Sequence, residues 1–373
     1  MTSPAAGTAA DLDRDNVIDV RNLQVEFRTS LGVVRAVNGV SFGVARGKTL
    51  GIVGESGCGK SVTAFAIMQL VANPGVITGG EIVLRAREKA PVNLLTYDPN
   101  GDDMRSVRGR HVGMIFQEPM TALNPCYTIG NQIAEGILLH RTSDPAKADA
   151  MALDILTRVG LPSPSRLMTT YPHQLSGGMR QRAMIALALS CEPDLLLADE
   201  PTTALDVTTQ AQILDVMREL QDDIGMSIMF VTHNLGVVAQ MCDEVAVMYL
   251  GRVVEQAPVE ELFDSPRHPY TRALMRSIPQ LGAARKGRLE VIQGSVPGQF
   301  TKVPGCAFHP RCPDMIPGLC DVQSPRLLAA NDDALVSCFL HHEPDGSARV
   351  SDVPTPGRVS PSSSSAIATP PAS

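Results

Sequence analysis

Eight residues near the start of the chain, Gly54-Glu55-Ser56-Gly57-Cys58-Gly59-Lys60-Ser61, carry the chemistry of a triphosphate site. They follow the spacing G-x-x-x-x-G-K-[ST], in which backbone N–H groups turn inward on anionic oxygens. The lysine ammonium reaches the β- and γ-phosphates and the hydroxyl serves magnesium. Glycines are required where the loop closes so tightly on the oxygens that a Cβ has no room. Taken alone, such a loop marks only a nucleotide-binding protein. Far downstream, the apolar run Leu195-Leu196-Leu197-Ala198 reads as a buried parallel strand ending in two carboxylates, Asp199 and Glu200. Adjacent residues at a strand end address different partners. Asp199 would hold magnesium, directly or through water, and Glu200 would polarise an attacking water as general base. Acidic residues at a strand end are more often merely solvated, so the surrounding pattern has to decide.

Between these elements lies Leu175-Ser176-Gly177-Gly178-Met179-Arg180-Gln181-Arg182. Ser176, Gly177 and Gly178 open a turn at the head of the apolar helical run Ala183 to Leu189, presenting N–H groups and a hydroxyl at a helix N-terminus, which attracts phosphate. With LSGGMRQR in this order between the phosphate loop and the acidic strand, the chain resembles the ATP-binding-cassette (ABC) family. The resemblance implies an α/β fold: a phosphate-loop cassette with a RecA-like core, an antiparallel β subdomain and a helical subdomain. It implies that Ser176, Gly177 and Gly178 act on ATP held by the loop of an opposing cassette. Ala204, Leu205 and Asp206 match the loop that communicates across that dimer.

Two further positions follow from the resemblance. Gln117, after the apolar strand Val112 to Phe116, matches the glutamine that senses magnesium and the γ-phosphate. His233, after Ser227 to Thr232, matches the switch histidine. Phe27 is the candidate for stacking on adenine, with Phe42 as the alternative, and the nucleotide loop extends to Val62. The hydrolytic set is unsubstituted, which implies an active Mg2+-dependent ATPase that is slow until paired.

The elements that must position these residues are read coarsely. Strands are expected near Ile18 to Arg28, Ser41 to Val44, Thr49 to Val53 and Glu244 to Tyr249, with helices over Lys60 to Leu70, Ala148 to Val159 and Leu235 to Cys242. The chain of 373 residues exceeds one cassette. Its expected division is a disordered start (1–15), a cassette (16–264) with its helical subdomain near 122–184, a C-terminal extension (265–343) and a Pro/Ser-rich flexible tail (344–373). Hydrophobic residues at 44 % and charged residues at 19 % suit a globular protein. A net charge of −7 gives no global basic field for nucleic acid. Neither a membrane-spanning apolar window nor an export signal is present, so the expected location is the cytoplasmic face of the membrane, reached through partners.

Beyond the core, Glu255 to Phe263, Pro266-Arg267-His268-Pro269-Tyr270-Thr271-Arg272-Ala273-Leu274 and Ser277-Ile278-Pro279 are similar to the C-terminal extension of oligopeptide/dipeptide importer ATPases. The run Phe116 to Pro125 around the glutamine is shared with the same subfamily. The extension holds Cys306, Cys312, Cys320 and Cys338, four of the eight cysteines. A reducing compartment disfavours disulfides, and four thiolates suit iron–sulfur or zinc. The spacing C-x5-C-x7-C-x17-C matches neither ferredoxin runs nor paired zinc knuckles, so chemistry leaves the choice open, with His309, His341 and His342 as alternative ligands. The resemblance implies a [4Fe-4S] cluster on the four cysteines. Cys58 reads as a tolerated small residue in the phosphate loop, and Cys126, Cys191 and Cys242 as buried or half-buried.

The reading is an ATP-hydrolysing subunit of an importer for di- and oligopeptides. The resemblance implies a second, related cassette, two permeases and an extracytoplasmic binding protein as partners, with no nucleic acid. Nickel or another small solute is the alternative cargo. A ribosomal or DNA-maintenance ATPase would need tandem cassettes or long coiled coils, neither of which the sequence has; export rather than import is disfavoured only by the extension.

Overall fold

The structure, a computed structural model, describes residues 15–87, 89–118, 122–202, 205–277 and 292–349. The expectations for residues 1–14 and for the tail from 350 onward lie outside the described residues, as do Pro119, Met120, Thr121, Ala204, Ile278 and Pro279.

Two sheets organise the chain. The larger has the order β11-β12-β10-β9-β3-β8-β7-β6. Its centre is parallel: β9 (Glu244–Tyr249), β3 (Thr49–Val53), β8 (Ser227–Val231), β7 (Leu195–Asp199) and β6 (Val112–Ile115). The smaller sheet is antiparallel, β2 (Gly32–Ala45), β1 (Asn16–Thr29), β4 (Gly75–Leu84) and β5 (Val92–Asn93).

The parallel strands are apolar along their interiors, with polar residues only at ends such as Thr49, Asp199, Ser227 and Glu244, because both of their faces are covered. Leu195, Leu197, Met229, Val231, Ala246 and Met248 join the core under the antiparallel sheet and helix α1 (Lys60–Ile67). Their neighbours Leu196, Ala198, Ile228, Phe230, Val245 and Val247 join the core shared with the helices. The period of two thus assigns alternate residues to two separate cores.

The span 122–184 contains α3 (Ile129–His140), α4 (Pro145–Arg158) and α5 (Pro164–Leu167), and α6 (Gly177–Leu189) begins within it, α2 (Asp102–Val107) lying upstream; no strand occurs there among the described residues. The helices α7 (Val207–Ile224), α8 (Leu235–Met241), α9 (Val259–Asp264) and α10 (Pro269–Arg276) follow.

Several elements differ from the sequence reading. The helix read to Leu70 ends at Ile67, with Gln69 at φ 50. Strand β2 begins at Gly32, well before Ser41. Strand β4 was not anticipated, since its Gly79-Gly80 pair breaks the apolar pattern and sits at a register shift against β1. Strand β10 (Arg252–Pro258) carries a buried glutamate, Glu255, whose carboxylate accepts the N–H groups of Arg267 and His268 at 2.7 and 2.8 Å. Two short strands, β11 (Leu328–Ala329) and β12 (Leu335–Val336), continue the large sheet beyond β10, with Glu255 opposite Val336. Residues from the cysteine-bearing region are therefore hydrogen-bonded into the same sheet as the phosphate loop.

Candidate active site

All five parallel strands end at one edge of the sheet, and the candidate residues leave from those ends, the usual ligand crevice of an open α/β sheet. The loop Gly54 to Gly59 follows β3, Gln117 follows β6, Asp199 and Glu200 close β7, and His233 follows β8.

The phosphate loop turns sharply into α1. Gly59 caps that helix at φ 102, where a Cβ would lie 2.2 Å from the Ala36 carbonyl oxygen. Gly54, at φ 151, passes equally close to the carbonyl oxygen of Met248. No other residue fits either position. Ser56 and Gly57 are exposed, whereas Cys58 and Lys60 are buried. The Lys60 ammonium donates to the carbonyl oxygens of Gly54 at 2.8 Å and Glu55 at 3.1 Å, so its charge sits inside the loop. Val62, half-buried on α1, packs against the core beneath the antiparallel sheet.

Ser61 Oγ donates to Asp199 Oδ1 at 2.9 Å, bridging α1 and the end of β7. Burial raises the Asp199 pKa, and the Ser61 hydrogen bond and nearby Lys60 oppose that shift while Glu200 adds to it. Glu200 has a left-handed backbone, φ 46, with its N–H bonded to the Val231 carbonyl at 2.9 Å. Such a conformation in a non-glycine residue costs about 1–3 kcal/mol and is concentrated at functional sites. Here it aims the carboxylate between two elements: Gln117 Nε2 lies 3.3 Å from Oε2 and His233 Nδ1 lies 3.0 Å from Oε1. The five polar side chains Ser61, Asp199, Glu200, Gln117 and His233 are thus brought together in two linked groups.

The remaining candidates stand elsewhere. Ser176 caps α6, its Oγ accepting the Met179 N–H at 3.3 Å, and Ser176 and Gly177 are exposed. Asp206 caps α7 through Thr209, and Gly178 faces the Thr209 methyl at 3.4 Å from an ideal Cβ. These two helix starts are neighbours, and Ser176 and Gly177 lie at the surface. Phe27 is half-buried in β1, packed beside Gly75, opposite Val34. Phe42 is fully buried, which removes it as the adenine-stacking alternative.

Among the cysteines, Cys58, Cys191 and Cys242 are buried, but Cys126 is exposed. It sits in a turn held by the Asn124 side chain, which accepts its N–H at 3.0 Å. Burial pushes the Cys58 thiol up in pKa despite Lys60, so this loop cysteine is held as a thiol, which is the inert form.

The four cysteines of the C-terminal region lie within electrostatic reach of one another. The metal centre expected there is not present as a ready-made ion site: no group of three or more His, Cys, Asp or Glu among the described residues is arranged to hold a metal ion. Burial favours the neutral thiol at three of the four cysteines. Cys312 is pushed up to about 11 and Cys338 to about 12, chiefly by burial, and Cys306 is raised by the same cause. The expected histidine alternatives are otherwise engaged or aimed: His309 Nδ1 lies 2.9 Å from the Cys306 carbonyl oxygen and His341 Nε2 lies 3.3 Å from that of Arg267, while both ring nitrogens of His342 are buried without a partner.

Two residues to which the sequence reading gives no role at the loop also touch it. The Tyr270 hydroxyl accepts the Glu55 N–H at 2.9 Å, and the Arg311 guanidinium grips the Glu55 carboxylate with contacts of 2.7 and 3.1 Å. Tyr270 and Arg311 stand 215 and 256 positions from Glu55, so no local spacing could have revealed them. The only signal was the His268-Pro269-Tyr270 run, in which His268 Nδ1 caps α10 and Pro269 occupies its first turn.

Fold and site together define an ATP-binding cassette, a phosphate-loop ATPase. A family model described as ABC transporter matches residues 37–203, and one described as Oligopeptide/dipeptide transporter, C-terminal region matches residues 254–320. The chain belongs to the ABC transporter family, among the ATP-binding proteins of oligopeptide and dipeptide importers. A Brucella melitensis protein named for peptide import is 50% identical over 338 residues, covering 89% of this chain and 99% of that one. The Dipeptide transport ATP-binding protein DppD of Bacillus subtilis is 44% identical over 330 residues, covering 88% and 96%. The Glutathione import ATP-binding protein GsiA of Escherichia coli is 50% identical over 276 residues, covering 74% of this chain and 44% of that one. The dimeric, post-hydrolysis ATP-binding cassette MJ0796, bound to ADP and Pi, superposes with TM-score 0.57 at 25% identity, covering 65% of this chain and 98% of that one. Among the described residues no helix is long and apolar enough to cross a membrane.

Proposed function

We propose that this chain hydrolyses ATP to drive uptake of di- and oligopeptides, as a peripheral subunit on the cytoplasmic face of the membrane. The observation that carries the reading is the C-terminal region matched at 254–320, joined to a cassette whose relatives named for peptide and dipeptide transport align along nearly their whole length. The glutathione-import relative favours small peptides over nickel or other solutes. The partners we assign are a second, related cassette, two permeases and an extracytoplasmic binding protein; no nucleic acid is involved.

In this reading Lys60 and the loop Gly54 to Val62 hold the phosphates, with Phe27 at the adenine. Ser61, Asp199 and Gln117 serve Mg2+. Glu200 activates water, held by Gln117 and His233, and His233 also senses the γ-phosphate. Ser176, Gly177, Gly178 and Asp206 address the nucleotide of the partner cassette, which agrees with the outward-facing start of α6. We assign residues 16–264 to the cassette, 122–184 to its helical subdomain and 265–343 to the extension.

For the extension we propose a [4Fe-4S] cluster on Cys306, Cys312, Cys320 and Cys338. Support comes from four thiols within electrostatic reach of one another and from N–H groups aimed at sulfur: Ile316 N lies 3.4 Å from Cys320 Sγ and Leu340 N 3.5 Å from Cys338 Sγ. Such donors stabilise cluster-bound thiolates, and a bound cluster would supply a covalent staple and a one-electron couple. Iron and acid-labile sulfide in anaerobically purified protein, abolished in Cys320→Ser, are expected; zinc in their place would refute the cluster.

The test of the transport reading is purification of the tagged chain from solubilised membranes, followed by peptide uptake into vesicles holding the recovered complex. Two permeases, a second cassette and ATP-dependent peptide accumulation are expected. Recovery of ribosomal or DNA-associated proteins without permeases would refute it.

A further inference from the structure

Glu55, the second residue of the phosphate loop, is fixed at three of its polar groups. Its amide N–H is taken by the Tyr270 hydroxyl, its carboxylate by Arg311, and its carbonyl oxygen by the Lys60 ammonium at 3.1 Å. The Arg311 side chain is only 4 % exposed. Its guanidinium lies over the rings of Tyr249 and Phe308, 5.8 and 6.0 Å from their centroids, and its Nε donates to the Gln293 carbonyl at 3.2 Å. Tyr249, Tyr270 and Phe308 pack against one another at centroid distances of 4.7 to 5.4 Å. A planar cation stacked on two aromatic rings and paired in two-pronged fashion with a carboxylate has one available orientation.

Arg311 is carried by the short turn His309–Arg311, inside the segment bounded by Cys306 and Cys312. That segment is pinned in turn by the Cys306 N–H, bonded to the Cys320 carbonyl at 2.7 Å. A rigid path therefore leads from the cysteine-bearing region through one buried arginine to the residue on which the resting Lys60 leans.

We propose that Arg311 is a positioning residue of the nucleotide site: by holding Glu55, it fixes the phosphate loop in the shape that receives ATP, and so makes nucleotide affinity depend on the C-terminal region. Arg311 touches no nucleotide in this scheme. It acts on binding, through Glu55, and leaves the groups that activate water where they are.

The experiment measures Mg-ATP affinity, by equilibrium binding of a fluorescent ATP analogue, on the full-length chain carrying Arg311→Ala, Arg311→Lys, Glu55→Gln or the pair Glu55→Gln with Arg311→Ala. Melting temperature is followed in parallel. Because the lost contact is a charge-assisted, two-pronged pair, Arg311→Ala should weaken affinity by roughly tenfold. Arg311→Lys should recover part of the loss, and the double variant should bind no worse than the weaker single one. Additive losses in the pair, or full affinity in a folded Arg311→Ala with only a lower melting temperature, would overturn the proposal. Should Arg311→Ala not fold, Glu55→Gln, on a half-exposed loop residue, decides alone: unchanged affinity refutes. Failure of the unsubstituted chain to bind Mg-ATP would count against the cassette assignment instead.

Discussion

Ser61 Oγ and Asp199 Oδ1 are 2.9 Å apart, so a residue on the first turn after the phosphate loop and one at the end of a strand 138 positions later share a hydrogen bond. Parallel order makes this possible, because β8 separates β3 from β7 and all three end at the same edge. A hydroxyl and a carboxylate at that distance are a hard-oxygen pair suited to Mg2+, which keeps most of its waters and takes one or two protein oxygens. Replacing Asp199 by Asn keeps the hydrogen-bonding shape and removes the charge. We expect Mg-dependent ATP hydrolysis to fall by about a hundredfold or more, with the Mg2+ concentration for half-maximal rate raised, measured on the assembled complex. A variant with the normal Mg2+ requirement would count against the metal role.

Glu200 is held from both sides by Gln117 and His233 in a backbone conformation that only a constrained residue keeps. Glu200→Gln keeps the size and removes the charge of the proposed base. ATP binding should persist and the hydrolysis rate should drop by about 10²–10⁴. Comparison of equilibrium ATP binding with single-turnover hydrolysis separates the two. Loss of binding together with hydrolysis would place Glu200 in nucleotide binding.

His268 is buried, 1 % exposed, and its pKa is pushed down from 6.5 to about 3, first by burial and then by the charges of His341 and Arg272. A neutral imidazole is needed to accept the Tyr270 N–H. The unfolded chain takes up a proton near pH 6.5 and the folded one only near 3. Stability from this group is therefore complete above about 6.5 and is lost as pH falls toward 3, by up to about 1.4 kcal/mol per pH unit. His268→Asn, which can still cap α10, should melt with a shallower pH dependence between pH 6 and 4 (on the order of one proton fewer). Equal slopes for the two proteins would exclude His268 as the titrating group.

The parts of the site that depend on short, rigid spacings could be read from the chain alone. The phosphate loop, the acidic strand end and the capped start of α6 are local, and each carries its chemistry within about eight residues. Their convergence could be read as well, since a run of apolar strands in a parallel sheet delivers its ends to one edge. What could not be read depends on distant contacts. Strand β4 is disguised by Gly79-Gly80, and β10 by Glu255, whose buried charge is satisfied only by N–H groups from Arg267 and His268. Cys126 reads as a small buried residue until Asn124 is seen to hold it in a surface turn. Tyr270 belongs to a readable run, but neither its contact with Glu55 nor that of Arg311 could be read, because the glutamate they recognise stands 215 and 256 positions away.

Gly177 separates stability from activity. It is exposed on the first turn of α6, directly after the Ser176 cap, and an added Cβ would meet nothing within 4 Å. Alanine is the better helix former by up to about 1 kcal/mol. Within this chain, then, Gly177→Ala should leave the melting temperature unchanged or raise it slightly. In the proposed assembly the phosphates held by a partner cassette approach the backbone at this helix start, where an added Cβ would intrude. We expect the isolated chain to bind ATP normally and the assembled transporter to lose at least about tenfold in ATPase rate. Full activity in the assembled complex would show that the start of α6 does not contact nucleotide across the interface.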